Sequence, residues 1–253
     1  MNTWNGRNLT ALSTDPILVI GPEGALRQAM AREIESLPVP ALVADSMADA
    51  TRTLGAGSRP PSIVLLPESS IRADSFEAEL AELRIRARSP RLVPIAFGRA
   101  PNDARRREIR EAGVELALFG RFGRHALRFQ INRALSPFAT RTPRGELRAP
   151  QEWRTRTFSL GKEKSVRCYS LSSGGAYFVT PRPWVVGSEI ALELPVGHDR
   201  LLVSGKILYT NLGDDVQRRG LPRGMAVAFR PLSQDIKREI REGLCETHEG
   251  LEV

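Results

Sequence analysis

The chain has 253 residues, 41% of them hydrophobic and 26% charged, with a formal net charge of +8. That length and composition exclude a disordered or low-complexity chain and allow two ordinary domains, each burying its own core. The excess charge is spread evenly, with 19 Arg against 15 acidic residues over 1–138 and 18 Lys+Arg against 14 over 139–253, which argues for an anionic partner but against a concentrated nucleic-acid groove. No apolar run approaches the roughly 20 residues of a membrane helix. The opening stretch MNTWNGRNLTALSTDP lacks the basic-then-apolar order of a signal peptide. Cys168 and Cys245 form no metal-ligand spacing and read as reduced thiols. The expectation is a cytoplasmic protein with no membrane insertion, no metal and no cofactor.

From Asp15 to Pro137, short apolar runs alternate with amphipathic segments. ILVIG (Ile17–Gly21) reads as a buried strand, followed by a helix with Leu26, Met30, Ile34 and Leu37 on one face. ALVAD, a helical stretch after Ser46, and SIVLL (Ser62–Leu66) come next. A helix with Phe76, Leu80 and Leu83 follows, then LVPIAF, a charged helix opening near Asn102, ELALF, and a helix with Leu127, Ile131 and Leu135. Five strands alternating with five helices predict a doubly wound, flavodoxin-like parallel sheet covered on both faces.

In pattern, spacing and its GVELALFGRF ending, this segment resembles the receiver domain of two-component response regulators over roughly 120 residues. That resemblance implies a phosphoryl-accepting Asp at a strand end, an acidic pair holding magnesium, a Thr or Ser, and a Lys. The residues at those positions differ. GPE (Gly21–Glu23) leaves at most Glu23 of the acidic pair; the third strand ends in Pro67, which has no nucleophile. Phe97 and Gly98 stand at the fourth strand's end, and Gly120-Arg121 replaces Lys-Pro. Glu68 and Asp45 are the carboxylates left nearest the site. The domain is therefore expected to be a non-phosphorylatable scaffold offering a docking or dimerisation surface. The helix within Asn102–Gly113 is either that surface or a solvated charged face.

RTPRGELRAP (Arg141–Pro150) comes next, with Arg144 and Arg148 four residues apart and prolines that disfavour a helix. On its own it is a basic, extended interdomain arm over 138–150, and its charges are either solvated or held for a ligand.

After the arm the apolar period changes from 3.6 to 2. EWRTRTFS, SVRCYS, GAYFVT, IALELPV, LLVSGKILY and MAVAF read as six antiparallel strands of a small β-barrel. A closing helix follows, with Ser233 as cap and Ile236, Ile240 and Leu244 as its apolar stripe. The ordered run of RGELR (Arg144–Arg148), SLSSGG (Ser170–Gly175), VVGSEIALELP, LVSGKILY and GMAVAF resembles a PilZ domain from about Arg141 to Gly243. PilZ domains receive the second messenger cyclic di-GMP through an RxxxR arm and a [D/N]xSxxG turn. The resemblance implies that Arg144, Arg148, Ser170, Ser172, Gly174 and Gly175 bind this ligand, with Arg141 auxiliary.

The chemistry suits those residue types. A guanidinium forks onto phosphate oxygens or onto guanine O6 and N7, and also lies flat on a base. Small residues bring backbone close to a ligand, although SLSSGG is equally a plain strand-entry turn. Ser170 departs from the motif's Asp or Asn; losing a charge-assisted bond there costs about 1.5–3 kcal/mol. His125, His198 and His248 are scattered without a nucleophile or ligand cluster, so no enzyme is expected. A DNA-binding regulator would need an output helix-turn-helix that the pattern lacks.

The sequence thus predicts a receiver-like domain over 15–137, an arm over 138–150, and a PilZ-like barrel with a C-terminal helix over 151–253. It predicts a signalling adaptor that binds cyclic di-GMP and passes the signal to a protein partner by domain reorientation, with dimerisation left open. The alternative is a degenerate PilZ protein that acts only through protein contacts, for example in motility or polarity control.

Overall fold

The computed structural model describes residues 15–35, 37, 39–54, 59–135, 147–196, 199–212 and 221–253. Two compact units result: the described residues 15–135 with the terminal stretch 249–253, and the described residues 147–248. Two of the expected boundaries therefore differ. The last five residues lie with the α/β unit, and Arg148–Pro150 of the arm forms a strand of the barrel sheet.

In the α/β unit, β1 (Ile17–Ile20), β2 (Ala41–Ala44), β3 (Ile63–Pro67), β4 (Val93–Gly98) and β5 (Leu116–Phe119) form one parallel sheet in the order β2-β1-β3-β4-β5. Between them run α1 (Ala25–Glu35), α2 (Met47–Thr53), α3 (Phe76–Arg86) and α4 (Asp103–Glu111); α5 (Arg124–Leu135) follows β5. β1, β3 and β5 are buried along their whole length, as strands covered on both faces must be. Two helix starts are secured by side chains: Ser46 accepts from the Asp49 amide (3.1 Å) and Asn102 from the Arg105 amide (2.9 Å). Of the apolar face expected on α1, Met30 and Ile34 are buried, whereas Leu26 is 50% exposed. Phe76, Leu80 and Leu83 are all buried, as their spacing demands.

Beyond β5 the sheet does not end in a bare edge. Residues 250–253 run antiparallel to β5, with an isolated bridge between Leu116 and Glu252.

The barrel unit contains β6 (Arg148–Pro150), β7 (Arg154–Ser159), β8 (Lys162–Ser172), β9 (Gly175–Val179), β10 (Glu189–Val196), β11 (Asp199–Asn211), β12 (Gly224–Phe229) and α6 (Gln234–Glu249). The sheet order is β6-β8-β7-β10-β11-β12-β9, and an additional β8–β9 pairing closes six of its strands into an antiparallel barrel. The alternating inward residues Ile190, Leu192 and Leu194 meet Val203, Ile207, Met225, Val227 and Phe178 in one core. Ile240 and Leu244 of α6 belong to that core, and Ser233 accepts from the Ile236 amide (3.4 Å) at the helix start.

β7 and β8 are joined by a two-residue turn, Leu160-Gly161, flanked by the pair Ser159–Lys162. Both turn residues are left-handed, with φ of 49° at Leu160 and 71° at Gly161, and Leu160 is 96% exposed. An L-residue with a Cβ is disfavoured there, whereas Asn tolerates that conformation. Leu160→Asn is expected to stabilise the protein by about 0.5–1 kcal/mol, part of the ~1–2 kcal/mol left-handed penalty. Calorimetry checks this as a raised unfolding midpoint; an unchanged or lowered midpoint contradicts it.

Candidate ligand rim of the barrel

The two serines of the SLSSGG turn sit on β8, whose inward residues up to this point are Val166 and Cys168. Continued alternation would aim Ser170 and Ser172 into the apolar core. Instead the β8–β9 register passes from Cys168 opposite Phe178 to Ser170 opposite Tyr177, skipping Tyr169. This bulge moves the inward position to Leu171, which joins the core, and turns Ser170 and Ser172 to the other face. The skipped residue packs edge-on to Tyr177 (centroids 5.8 Å apart). Tyr177 lies 6.3 Å from Tyr209, and its hydroxyl donates to the Pro222 carbonyl (2.6 Å).

β6 pairs with this segment, setting Arg148 opposite Ser172 and Pro150 opposite Ser170. Two strand residues on one face bring the guanidinium over both hydroxyls: Nη1 donates to Ser170 Oγ (3.1 Å) and Nη2 to Ser172 Oγ (3.3 Å). Ser172 Oγ donates onward to the Gly175 carbonyl (3.1 Å), which ties the motif's second serine to its last glycine. Ser170, Ser172 and Ser173 are buried, at 3%, 2% and 1% exposure. The Ser173 hydroxyl has no hydrogen-bond partner among the described residues. Nothing in the spacing of the motif singled out Ser173; only its burial does.

The glycines have internal duties. The Gly174 carbonyl accepts from the Phe229 amide (2.9 Å). A Cβ on Gly175 would stand 2.4 Å from the Val227 carbonyl oxygen, so the close approach of β9 and β12 alone requires glycine there. Beneath the rim, burial pushes the Cys168 thiol far above its ordinary value, an effect only partly opposed by the nearby Arg148 charge; it is a packing residue and no nucleophile. Of the residues expected to bind, Arg148, Ser170, Ser172, Gly174 and Gly175 are thus brought together. Arg144 and Arg141 lie outside the described residues.

In the α/β unit, the positions of the receiver chemistry are filled by other contacts. Pro67 closes β3, and a Cβ on Gly21 would lie 3.0 Å from the Pro67 ring. Arg27 bonds the Gly21 carbonyl (2.9 Å) and pairs with Asp45, while Glu23 is exposed. Arg105 donates to the Glu68 carbonyl (2.6 Å) and the Ile71 carbonyl, and its Nε stands 3.6 Å from the Glu68 carboxylate. Glu68 and Asp45, the carboxylates left over in the sequence, are each committed to an arginine.

Fold and rim together define a chain of two folds, one a receiver-like doubly wound sheet and one a PilZ-like six-stranded barrel with a C-terminal helix. No family model matches the sequence, and no curated protein does. The solved structures to which it is similar include PilZ domains, a two-component response regulator and a chemotaxis response regulator. The PilZ domain with c-di-GMP of YcgR from Escherichia coli shares 16% identity over 42% of this chain and 92% of that one, with a TM-score of 0.34. The Bacillus subtilis inhibitor of motility MotI/DgrA shares 13% over 42% of this chain with a TM-score of 0.35, and the match spans about half of it (51%). The chemotaxis protein CheY4 of Vibrio cholerae shares 13% over 49% of this chain and 100% of that one, with a TM-score of 0.40.

Gly175→Ala is expected to cost about 1–3 kcal/mol, because backbone must yield to the new methyl group. A urea titration reads this as a lowered midpoint; a midpoint within error of the parent protein contradicts it.

Proposed function

We propose that the chain is a cytoplasmic signalling adaptor whose barrel rim binds cyclic di-GMP and which relays that binding to a protein partner by reorientation of its domains. No reaction is catalysed. The observation that carries this reading is the fork of Arg148 laid across two hydroxyls on the outer face of a bulged strand. A planar guanidinium can exchange bonds to hydroxyl oxygens for bonds to phosphate oxygens or a guanine edge. Ser170 and Ser172 then supply short acceptors and donors beneath the ligand. Arg144, with Arg141 as an auxiliary, would supply the second cation that a ligand with two phosphodiesters calls for. The receiver-like unit serves as a scaffold for the partner; Pro67 at the end of β3 offers no oxygen to phosphorylate.

One observation favours the second reading, a PilZ-like protein that works through protein contacts without the nucleotide. Arg148 already spends two donors on the rim's own serines, and Ser170 replaces the carboxylate or amide of the motif.

Calorimetric titration with cyclic di-GMP separates the two. The parent protein is expected to bind saturably, and Arg148→Ala and Arg144→Ala each to weaken binding tenfold or more, the loss of one charge-assisted bond of about 1.5–3 kcal/mol. Ser170→Asp is expected to tighten it by a similar factor. Equal heats from the parent and both arginine variants contradict nucleotide binding at this rim. A flat titration with a partner still retained on an affinity column supports the second reading.

A further inference from the structure

An exposed sheet edge presents unpaired amides and carbonyls to any extended chain. The outer edge of β5 is taken by residues 250–253. Ala117 N donates to the Leu251 carbonyl (3.0 Å), Phe119 N to the Gly250 carbonyl (2.7 Å), and Val253 N to the Glu115 carbonyl (3.2 Å). Side chains from both flanking helices read the same stretch. From α4, Arg106 donates to the Glu249 and Glu252 carbonyls (2.9 and 2.7 Å) and Arg110 to the Val253 carbonyl. From α5, Gln130 donates to the Leu251 carbonyl and Arg133 pairs with the Glu252 carboxylate. Leu251 and Val253 are buried, and Val253 joins the core beside Phe119.

Two contacts in the walls of this groove do not involve the tail: the Arg106 guanidinium lies 5.2 Å over the Phe119 ring, and Gln130 Nε2 also bonds the Ala117 carbonyl (2.7 Å). A groove that reads backbone on a strand edge and one carboxylate between two apolar side chains has the attributes of a peptide receptor. We propose that the β5 edge, with α4 and α5, is a docking groove for extended peptides. It is occupied in cis by Gly250–Val253, and it accepts in trans a partner segment of apolar, acidic and apolar residues in succession. The tethered tail holds the groove because its local concentration is high, so a partner must either bind more tightly or meet a chain whose tail has been drawn off. This inference does not depend on the ligand assigned to the barrel.

The test is a fluorescence-anisotropy titration of a labelled, N-acetylated Gly-Leu-Glu-Val peptide into the full chain and into a chain ending at Glu249. The shortened chain is expected to bind saturably and at least tenfold more tightly than the full chain. Arg110→Ala or Arg133→Ala in the shortened chain is expected to weaken binding about fivefold or more. Slowed amide exchange at Ala117 and Phe119 on peptide addition would place the peptide on β5. If circular dichroism shows the shortened chain unfolded, the full-length Leu251→Asp, Val253→Asp variant takes its place under the same criteria. Equal binding to the parent and tail-altered chains, or no saturable binding to a folded tail-altered chain, overturns the proposal.

Discussion

Strand alternation is a strict constraint: with a period of two, every second side chain of β8 must enter the barrel, and serines at 170 and 172 would follow Cys168 into it. Two hydroxyls pointed into hydrocarbon, each without a strong partner, would cost the barrel more than it gains from either neighbour. The register skip at Tyr169 removes that conflict and creates the rim in the same move. It gives Leu171 to the core and turns the serines to the face where β6 crosses them. A guanidinium opposite Ser172 then reaches both oxygens. The contacts of Arg148 with both serines and the Ser172 bond to Gly175 depend on that one displaced residue.

The α/β unit shows what a doubly wound sheet keeps when the chemistry at its carboxyl edge is exchanged for packing. Pro67 at the end of β3 faces Gly21 at the end of β1, a contact that suits a ring and a missing side chain. Arg105 clasps the segment after β3 through two carbonyls and the Glu68 carboxylate, and so ties that segment to α4. In a fold whose binding sites lie beyond the carboxyl ends of the strands, such ties fill the positions of the receiver chemistry with the protein's own contacts. The proposed partner groove lies elsewhere, on the unit's flank, where α4, β5 and α5 meet the tail.

Among the described residues, every strand except β6 could be read from the sequence, because short apolar runs and alternation are direct consequences of burial on two faces or one. The same reading found the buried faces of α3 and α6 and the serine at the start of α6. It did not find β6, since three residues ending in proline carry no periodic signal. Leu26 matched the α1 face by spacing yet stays half exposed, at the helix start where the first turn lies outside the core. The bulge was invisible because a skipped residue leaves no compositional trace, and CYSLSSGG reads as regular strand until its partner is known. Gly175 was expected to let backbone approach a ligand; the atom its missing side chain makes room for in this structure is the Val227 carbonyl. The pairing of the last residues with β5 joins positions far apart in the chain, and no local pattern carries such information.

That pairing also bears on the order in which the protein is made. The α/β unit leaves the ribosome with its five parallel strands complete but with β5 bare, and the whole barrel is translated before Leu251 and Val253 arrive to cover it. During that interval the nascent chain carries an uncovered strand margin, the kind of surface that holdase chaperones shield and that neighbouring nascent chains stick to. Completion of the first unit is thus a post-barrel event, and the codons for Gly250–Val253 are among the first candidates when solubility in expression fails.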